Sequence, residues 1–385
     1  MTLALVNPPA AAPLLTEACA AAQVLTFAMN CAFAERENEI SCALSALVAG
    51  EHLLLLGPPG TGKSALTDAF AGAIGGDLFN MLFTRFTVPE EVFGPISLKG
   101  LENDEYSRVT AGYAPSAQVW FLDEIFKANS AILNSLLSSL NERTFVNGGK
   151  RTRIPLELCI GASNELPADD SLGALYDRFV ARCWVSFIGD RDKLRALLVS
   201  GSAPRVTAKL TREAVAVLRE AREQVDVTPV VDALLDIKDE LAQKHGIVPS
   251  DRRWGKAVKF VQAQAVLAGR MVAEGDDLLI LANCLWDKPE ERAAIYGVIS
   301  SRANPDLHRA MSIYDAAVEA FGSINFGEKD DTAWTRKAKP VAQALRDQLA
   351  LTAPLKRSNR VVEIEDKLRA MLQKLLRANA DRRDF

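Results

Sequence analysis

Apolar residues follow two different rhythms along this chain. Up to about residue 187, short unbroken apolar runs alternate with stretches of helical period. The runs cover 53–56, 78–83, 119–122, 156–162 and 180–187, and two of them end abruptly in polar residues. Short apolar runs separated by helical stretches predict buried parallel strands, hence an α/β sheet. The helical stretches are 16–49, 65–74, 128–142, 172–179 and 190–198, with a short helix starting near 86–93. Within 16–49, Thr16-Glu17 is the expected start, Arg36 to Glu39 forms a polar break, and Gly50 is the expected stop. Residues 1–13, with Pro8, Pro9 and Pro13, read as a loose lead-in.

Two segments break the alternation. Residues 94–115 hold two β-like pieces, 96–99 and 106–109, around a polar turn, closed by Gly112 and Pro115. Residues 143–156 predict a hairpin turning at Asn147-Gly148-Gly149. From Thr211 onward the period is helical throughout: 211–224, 228–245, 250–273 and 275–286, then 288–385 with breaks at Pro305, Pro340 and Pro354. The last stretch carries Val361, Ile364, Leu368, Met371, Leu372 and Leu375 on one stripe, the pattern of a helix docked on its own protein or, as the alternative, on a partner or another subunit.

Chemistry concentrates where the strands end. The 53–56 run enters Gly57-Pro58-Pro59-Gly60-Thr61-Gly62-Lys63-Ser64-Ala65, and a helix follows. Glycines at these positions let the backbone turn tightly and approach a ligand. The loop amides and the helix N-terminus then form an anion nest. Lys63 places an ammonium on the outer phosphates of a nucleoside triphosphate, and Ser64 offers a hydroxyl to Mg²⁺. The bland alternative, a chance glycine-rich turn, lacks a reason for the flanking strand and helix. The run 119–122 ends in Asp123-Glu124. Ligands of parallel sheets sit at the carboxyl ends of strands, so this pair belongs beside the loop. Asp123 is the expected Mg²⁺ partner and Glu124 the group that polarises an attacking water; alone, the pair would equally suit a strand followed by a helix cap. Asn164, after the run 156–162, reaches a γ-phosphate or its water, or is a simple turn asparagine.

Composition narrows the setting. The chain has 385 residues, 49% hydrophobic and 24% charged, with a net charge of −4. That balance argues against nucleic acid or an anionic membrane as the main partner. Six cysteines form no C-x-x-C pair and three histidines lie far apart, so neither a metal cluster nor a disulfide framework is expected, and a reducing cytoplasm fits. No Lys or Arg precedes Arg36, which removes the charged start of a signal peptide, and no apolar run reaches membrane-spanning length.

In order, the phosphate loop, Asp123-Glu124, Asn164, Tyr176-Asp177-Arg178-Phe179 and Ser250-Asp251-Arg252-Arg253-Trp254 resemble the MoxR family of AAA+ ATPases, and within it the RavA group. The resemblance implies a P-loop AAA+ sheet domain, an all-α lid and a helical C-terminal extension. The boundaries expected are 1–34 for a helical lead-in, 35–205 for the nucleotide-binding domain, 206–287 for the lid and 288–385 for the extension. It implies ATP and Mg²⁺ as cofactors, Asn164 as the sensor-1 residue, Arg178 as the arginine finger and Arg252 as the sensor-2 arginine. Arg182 and Arg253 stand as alternatives for the last two. A finger acts on a neighbour's ATP, so a homo-oligomeric ring, hexameric in the family, is implied. The segments 94–115 and 143–156 resemble the helix-2 insert and pre-sensor-1 hairpin, which face the pore of such rings. A partner with a von Willebrand factor A domain and a remodelled protein client are implied too. RavA proteins carry a further, partly β domain after the lid; residues 288–385 are too short and too helical for it. A second reading, a nucleic-acid motor or loader, rests on Lys150, Arg151 and Arg153 of the hairpin. A third is a nucleotide-gated scaffold.

Overall fold

The computed structural model describes residues 11–167, 170–200, 205–328, 330–355 and 359–381. The chain divides into two compact units, Met1–Ile295 and Tyr296–Phe385. In the first, helices α1 (Ala11–Ala32) and α2 (Glu37–Ala49) lead into β1 (Leu53–Leu56). Then follow α3 (Lys63–Ile74), β2 (Leu78–Leu82), α4 (Pro89–Phe93), α5 (Leu98–Glu102), β3 (Val119–Asp123) and α6 (Ser130–Glu142). The hairpin β4 (Thr144–Asn147) and β5 (Lys150–Arg153) precedes β6 (Leu158–Ser163), α7 (Asp170–Tyr176), β7 (Ala181–Trp184) and α8 (Arg191–Ser200).

Five strands form one parallel sheet in the order β2-β3-β6-β1-β7. Every residue of β1 and β6 is buried, which is why these strands read as unbroken apolar runs. The strand order is not the sequence order, so the chain crosses over repeatedly and brings the carboxyl ends of β1, β3 and β6 side by side. Helix α2 packs on β1, β6 and β7, and α3 on β3. Arg143, in left-handed backbone at φ +53°, ends α6 and donates to Gly50 O at 2.8 Å. His52 joins the same end of α6 to the sheet: Nε2 donates to Leu140 O at 2.9 Å and Nδ1 accepts from Cys159 N at 3.2 Å.

Helices α9 (Arg212–Glu223), α10 (Val231–His245) and α11 (Asp251–Leu267), with a 3-10 segment at Gly275–Asn283, complete the first unit. Thr211 and Ser250 cap α9 and α11 through their hydroxyls. Buried Glu51 pairs with Lys256 at 2.6 Å and Lys259 at 2.9 Å, and Glu157 with Arg212 at 3.0 Å, tying these helices to the sheet. Helix α1 is long and apolar enough to cross a bilayer by composition. Here one side of it, Ala18, Cys19, Ala22, Leu25 and Met29, is buried, and it packs on α2, α9 and α11.

Five expectations change, one of them the break at Pro340, which lies inside a continuous helix, Asp331–Thr352. The 96–99 β-like piece is not a strand: the Ser97 hydroxyl accepts from Gly100 N at 3.1 Å and caps α5, leaving one bridge, Ile96 to Arg108. The helix expected from Thr16 already includes Ala11 to Pro13, three residues assigned above to a loose lead-in, whose residues 1–10 lie outside the described residues. The helix expected over 250–273 stops at Leu267, where Gly269 takes φ +77°. The segment expected as helix over 275–286 winds as 3-10.

Helix α12 (Arg292–Ala303) carries the chain across the boundary into the second unit, which holds α13 (Pro305–Gly322), α14 (Asp331–Thr352) and α15 (Asn359–Asp381). The three long helices pack on one another. Val361, Ile364, Leu368 and Leu375 are buried, so this part of the α15 stripe is used within the fold.

Candidate nucleotide-binding site

Strand β1 delivers the chain to Gly57 at φ +146°, where an added Cβ would sit 2.2 Å from Val185 O; only glycine fits there. Gly62, at φ +82°, is the residue before α3, so the loop's last amides and the helix N-terminus form one concave end. Lys63 opens α3 and folds back over the loop: its Nζ donates to Gly57 O at 2.7 Å, Pro58 O at 3.0 Å and Asn164 Oδ1 at 3.2 Å. Ser64 and Ala65 follow in the exposed first turn.

Asn164, just beyond β6, links the loop to β3: its Nδ2 donates to Glu124 Oε1. Glu124 has left-handed backbone at φ +51°, its amide donates to Asp123 Oδ1 at 3.0 Å, and its second oxygen lies 3.2 Å from Lys127 Nζ. Burial pushes the Asp123 carboxyl up and the Lys63 ammonium down, while the charges of Asp123 and Glu124 push Lys63 back up. Lys63, Asn164, Asp123 and Glu124 are therefore one cluster, with Ser64 adjoining it through Lys63.

Sequence reading took Arg36 for a polar break and missed its place. It is 7% exposed, and its Nη2 donates to Thr61 O at 3.0 Å and Ser186 O at 2.7 Å. Its neighbour Glu35 accepts from the amides of Gly189 and Asp190, which lowers its carboxyl. An arginine between two helices gave no sequence signal, because its partners are backbone carbonyls far along the chain.

Among the described residues, neither Lys63 nor Arg36 has a carboxylate within ion-pair distance. Two buried cations beside a concave row of amides fit a polyphosphate anion. No group of three or more His, Cys, Asp or Glu that could hold a metal occurs among the described residues. Ser64 and Asp123 fit Mg²⁺ shared with phosphate oxygens, the way this cation is commonly held.

The four arginines separate into two kinds. Arg182 is wholly buried: Nη1 meets Asp287 Oδ1 at 2.7 Å and the guanidinium lies 3.7 Å from the Tyr176 ring centre. Arg253 is buried against Asp177 at 2.6 Å and Asp287 at 2.7 Å. Arg178 has no side-chain hydrogen bond or ion pair among the described residues, and its Nε is buried without a partner. Arg252 is exposed and donates to Asn141 Oδ1 at 2.8 Å. Burial and then the charge of Arg252 lower Arg178.

Both lie away from the chain's own loop. Arg178 precedes the start of β7, whose Ala181 is level with Leu53, whereas Gly57 follows the other end of β1. Asn141, which holds Arg252, follows Leu140, which is bonded to His52 just before β1. The structure brings Lys63, Asp123, Glu124 and Asn164 together at the carboxyl ends of the strands and puts Arg178 and Arg252 toward their amino ends.

Comparison with known families agrees with this geometry. Residues 21–223 match the MoxR domain of MoxR-vWA-beta-propeller ternary systems, and residues 229–299 match an AAA lid domain. The chain belongs to the MoxR family of AAA+ ATPases. Two uncharacterized proteins of Methanocaldococcus jannaschii are each 42% identical to this MoxR chain. One match covers 72% of the chain and 73% of the relative, the other 68% and 70%. The chaperone MoxR1 of Mycobacterium tuberculosis is 26% identical over 42% of the chain and 43% of its own length. In fold, the MoxR chain resembles the crystal structure of a proposed ATPase from Cytophaga hutchinsonii, with a TM-score of 0.60 at 15% identity, covering 75% of this chain and 95% of that one.

Proposed function

We propose that the chain binds Mg-ATP and hydrolyses it within a head-to-tail homo-oligomeric ring. The observation that carries this reading is the pair of buried cations, Lys63 and Arg36, beside the loop amides, with no carboxylate within ion-pair distance of either among the described residues. On this reading 35–205 is the nucleotide-binding domain, 206–287 the lid and 288–385 the extension. The loop from Gly57 to Ala65 cradles the phosphates, and Ser64 and Asp123 hold Mg²⁺. When bound there, the cation would neutralise phosphate charge. Glu124 takes the proton of the attacking water, and Asn164 orients that water between Glu124 and Lys63. Arg178 and Arg252, turned away from their own loop, serve the site of the next subunit. The buried ion pairs of Arg182 and Arg253 favour Arg178 and Arg252 over them for that role.

Glu124→Gln should keep ATP binding and lower turnover about a hundredfold or more. Parent-rate hydrolysis by that variant, measured as phosphate release, refutes the assignment.

The matched family description includes a vWA protein, which supports a partner of that type, and we take the ring to remodel or mature a protein client of that system. The motif order alone suggests RavA; the matched description favours the vWA and beta-propeller setting instead. The free thiols support a cytoplasmic site of action. A pull-down with Glu124→Gln in ATP should recover the vWA protein; recovery equal in ADP and ATP counts against a nucleotide-driven client cycle.

A further inference from the structure

The geometry points to Arg36 as a positioning residue for the phosphate loop, acting through the Thr61–Gly62 peptide. This inference rests on the nucleotide-binding reading and adds a residue to it. Three observations carry it. First, Arg36 Nη2 donates to Thr61 O at 3.0 Å, with Nε at 3.4 Å from the same oxygen, so two arms of the fork hold one loop carbonyl. In a trans peptide the carbonyl and the following N–H point in opposite directions. Drawing Thr61 O toward Arg36 therefore aims the Gly62 N–H away from it, and Gly62 is the N-cap residue directly before α3. The φ of +82° at Gly62 is the backbone condition for that orientation.

Second, the same guanidinium is anchored on structure outside the loop. Nη2 donates to Ser186 O at 2.7 Å and Nη1 to Glu35 O at 2.6 Å. Ser186 directly follows Val185, whose carbonyl packs against Gly57. Both ends of the loop are thus referred to the segment after β7, one by glycine contact and one by the arginine.

Third, the charge of Arg36 has no acid within ion-pair distance among the described residues; its hydrogen-bond partners are carbonyls. The buried Glu39 is close enough to feel Arg36 but makes no bond to it. A buried cation with neutral partners is costly unless an anion shares its surroundings. A polyphosphate in the loop is that anion. Arg36 therefore contributes both a fixed peptide and a positive charge behind the loop, and a role limited to folding would need neither to depend on phosphate.

The test compares the full chain with Arg36→Gln and Arg36→Lys, by calorimetric titration with Mg-ATP and, separately, with inorganic tripolyphosphate. Arg36→Gln should weaken both ligands by about thirtyfold or more, and by similar factors. Arg36→Lys, which keeps the charge and loses the fork, should weaken both by roughly threefold to thirtyfold. In steady-state hydrolysis the loss should fall on KM, with kcat at saturation lowered less than about threefold. Parent-like affinity in Arg36→Gln overturns the inference, as does a loss confined to ATP with tripolyphosphate unaffected. If Arg36→Gln does not fold, unchanged or undetectable tripolyphosphate binding by folded Arg36→Lys overturns it. A parent chain that binds no Mg-ATP at all overturns the nucleotide reading itself, which is a different outcome from parent-like binding by the variants.

Discussion

Arg178 and Arg182 stand one helical turn apart in sequence number and have opposite physical situations. Arg182 is a buried cation whose every arm is used, by Asp287, Trp286 O, Tyr176 O and Phe179 O. Arg182→Ala leaves buried polar groups without their partner, so the chain should lose roughly 3–5 kcal/mol of stability in a denaturant melt. Arg178→Ala removes a guanidinium with no side-chain hydrogen bond or ion pair among the described residues. Its melt should match the parent, while ATP turnover should fall by roughly 10³ or more, as for a finger residue. Equal loss of stability in both variants would contradict the assignment. The sequence left Arg182 as an alternative to Arg178; the partners that set Arg182 apart include Trp286 and Asp287, more than a hundred residues further on.

At the scale of elements, the end of α6 deserves a measurement of its own through His52. The ring is buried between α6 and β6, and burial, with the nearby charge of Arg143, pushes its pKa down from 6.5 to about 3. The folded chain keeps His52 neutral while the unfolded chain protonates it near its ordinary value. The stability from this histidine is therefore fully present above pH 6.5 and is lost as pH falls toward 3. The slope it contributes within that window is up to about 1.4 kcal/mol per pH unit. Denaturant melts between pH 7 and 5 should show this slope, and His52→Gln should flatten it by close to one proton. The hairpin shows what an element-level pattern reveals: Asn147-Gly148-Gly149 predicted its turn, and β4 and β5 pair across it. That the Asn147 side chain would also bond Arg108, at N and O, was not legible, because Arg108 belongs to the other inserted segment. The sequence likewise suggested a β-like piece where Ser97 instead caps a turn of helix, since alternation over so few residues does not distinguish the two.

For the whole molecule, the separation of Arg178 and Arg252 from their own loop makes a prediction about mixtures. Lys63→Ala and Arg178→Ala should each be nearly inactive alone. Mixed before assembly, they should regain measurable turnover, because some interfaces then pair an intact loop with an intact arginine. A mixture as inactive as its components would mean that the arginine acts within its own chain. Nucleotide should also drive assembly: sedimentation of Glu124→Gln should show a larger species with Mg-ATP than without. Exposed Lys150, Arg151 and Arg153 on β5 keep the nucleic-acid reading testable. Filter binding across a salt series should show weak, shallow dependence for a protein-directed ring, and a steep slope would favour a motor on DNA or RNA.

The sequence by itself determined the strands, the phosphate loop, the acidic pair after β3 and the helical character of everything after Thr211. These depend on local rules: period, glycine freedom and the step from an apolar run to carboxylates. Tertiary structure decided which arginines sit in buried ion pairs and which do not, that Arg36 lies under the loop, and that Asn164 joins Lys63 to Glu124. Those facts depend on the crossovers that set β1 between β6 and β7, bringing residues from distant stretches within hydrogen-bond reach, and no local pattern encodes that distance.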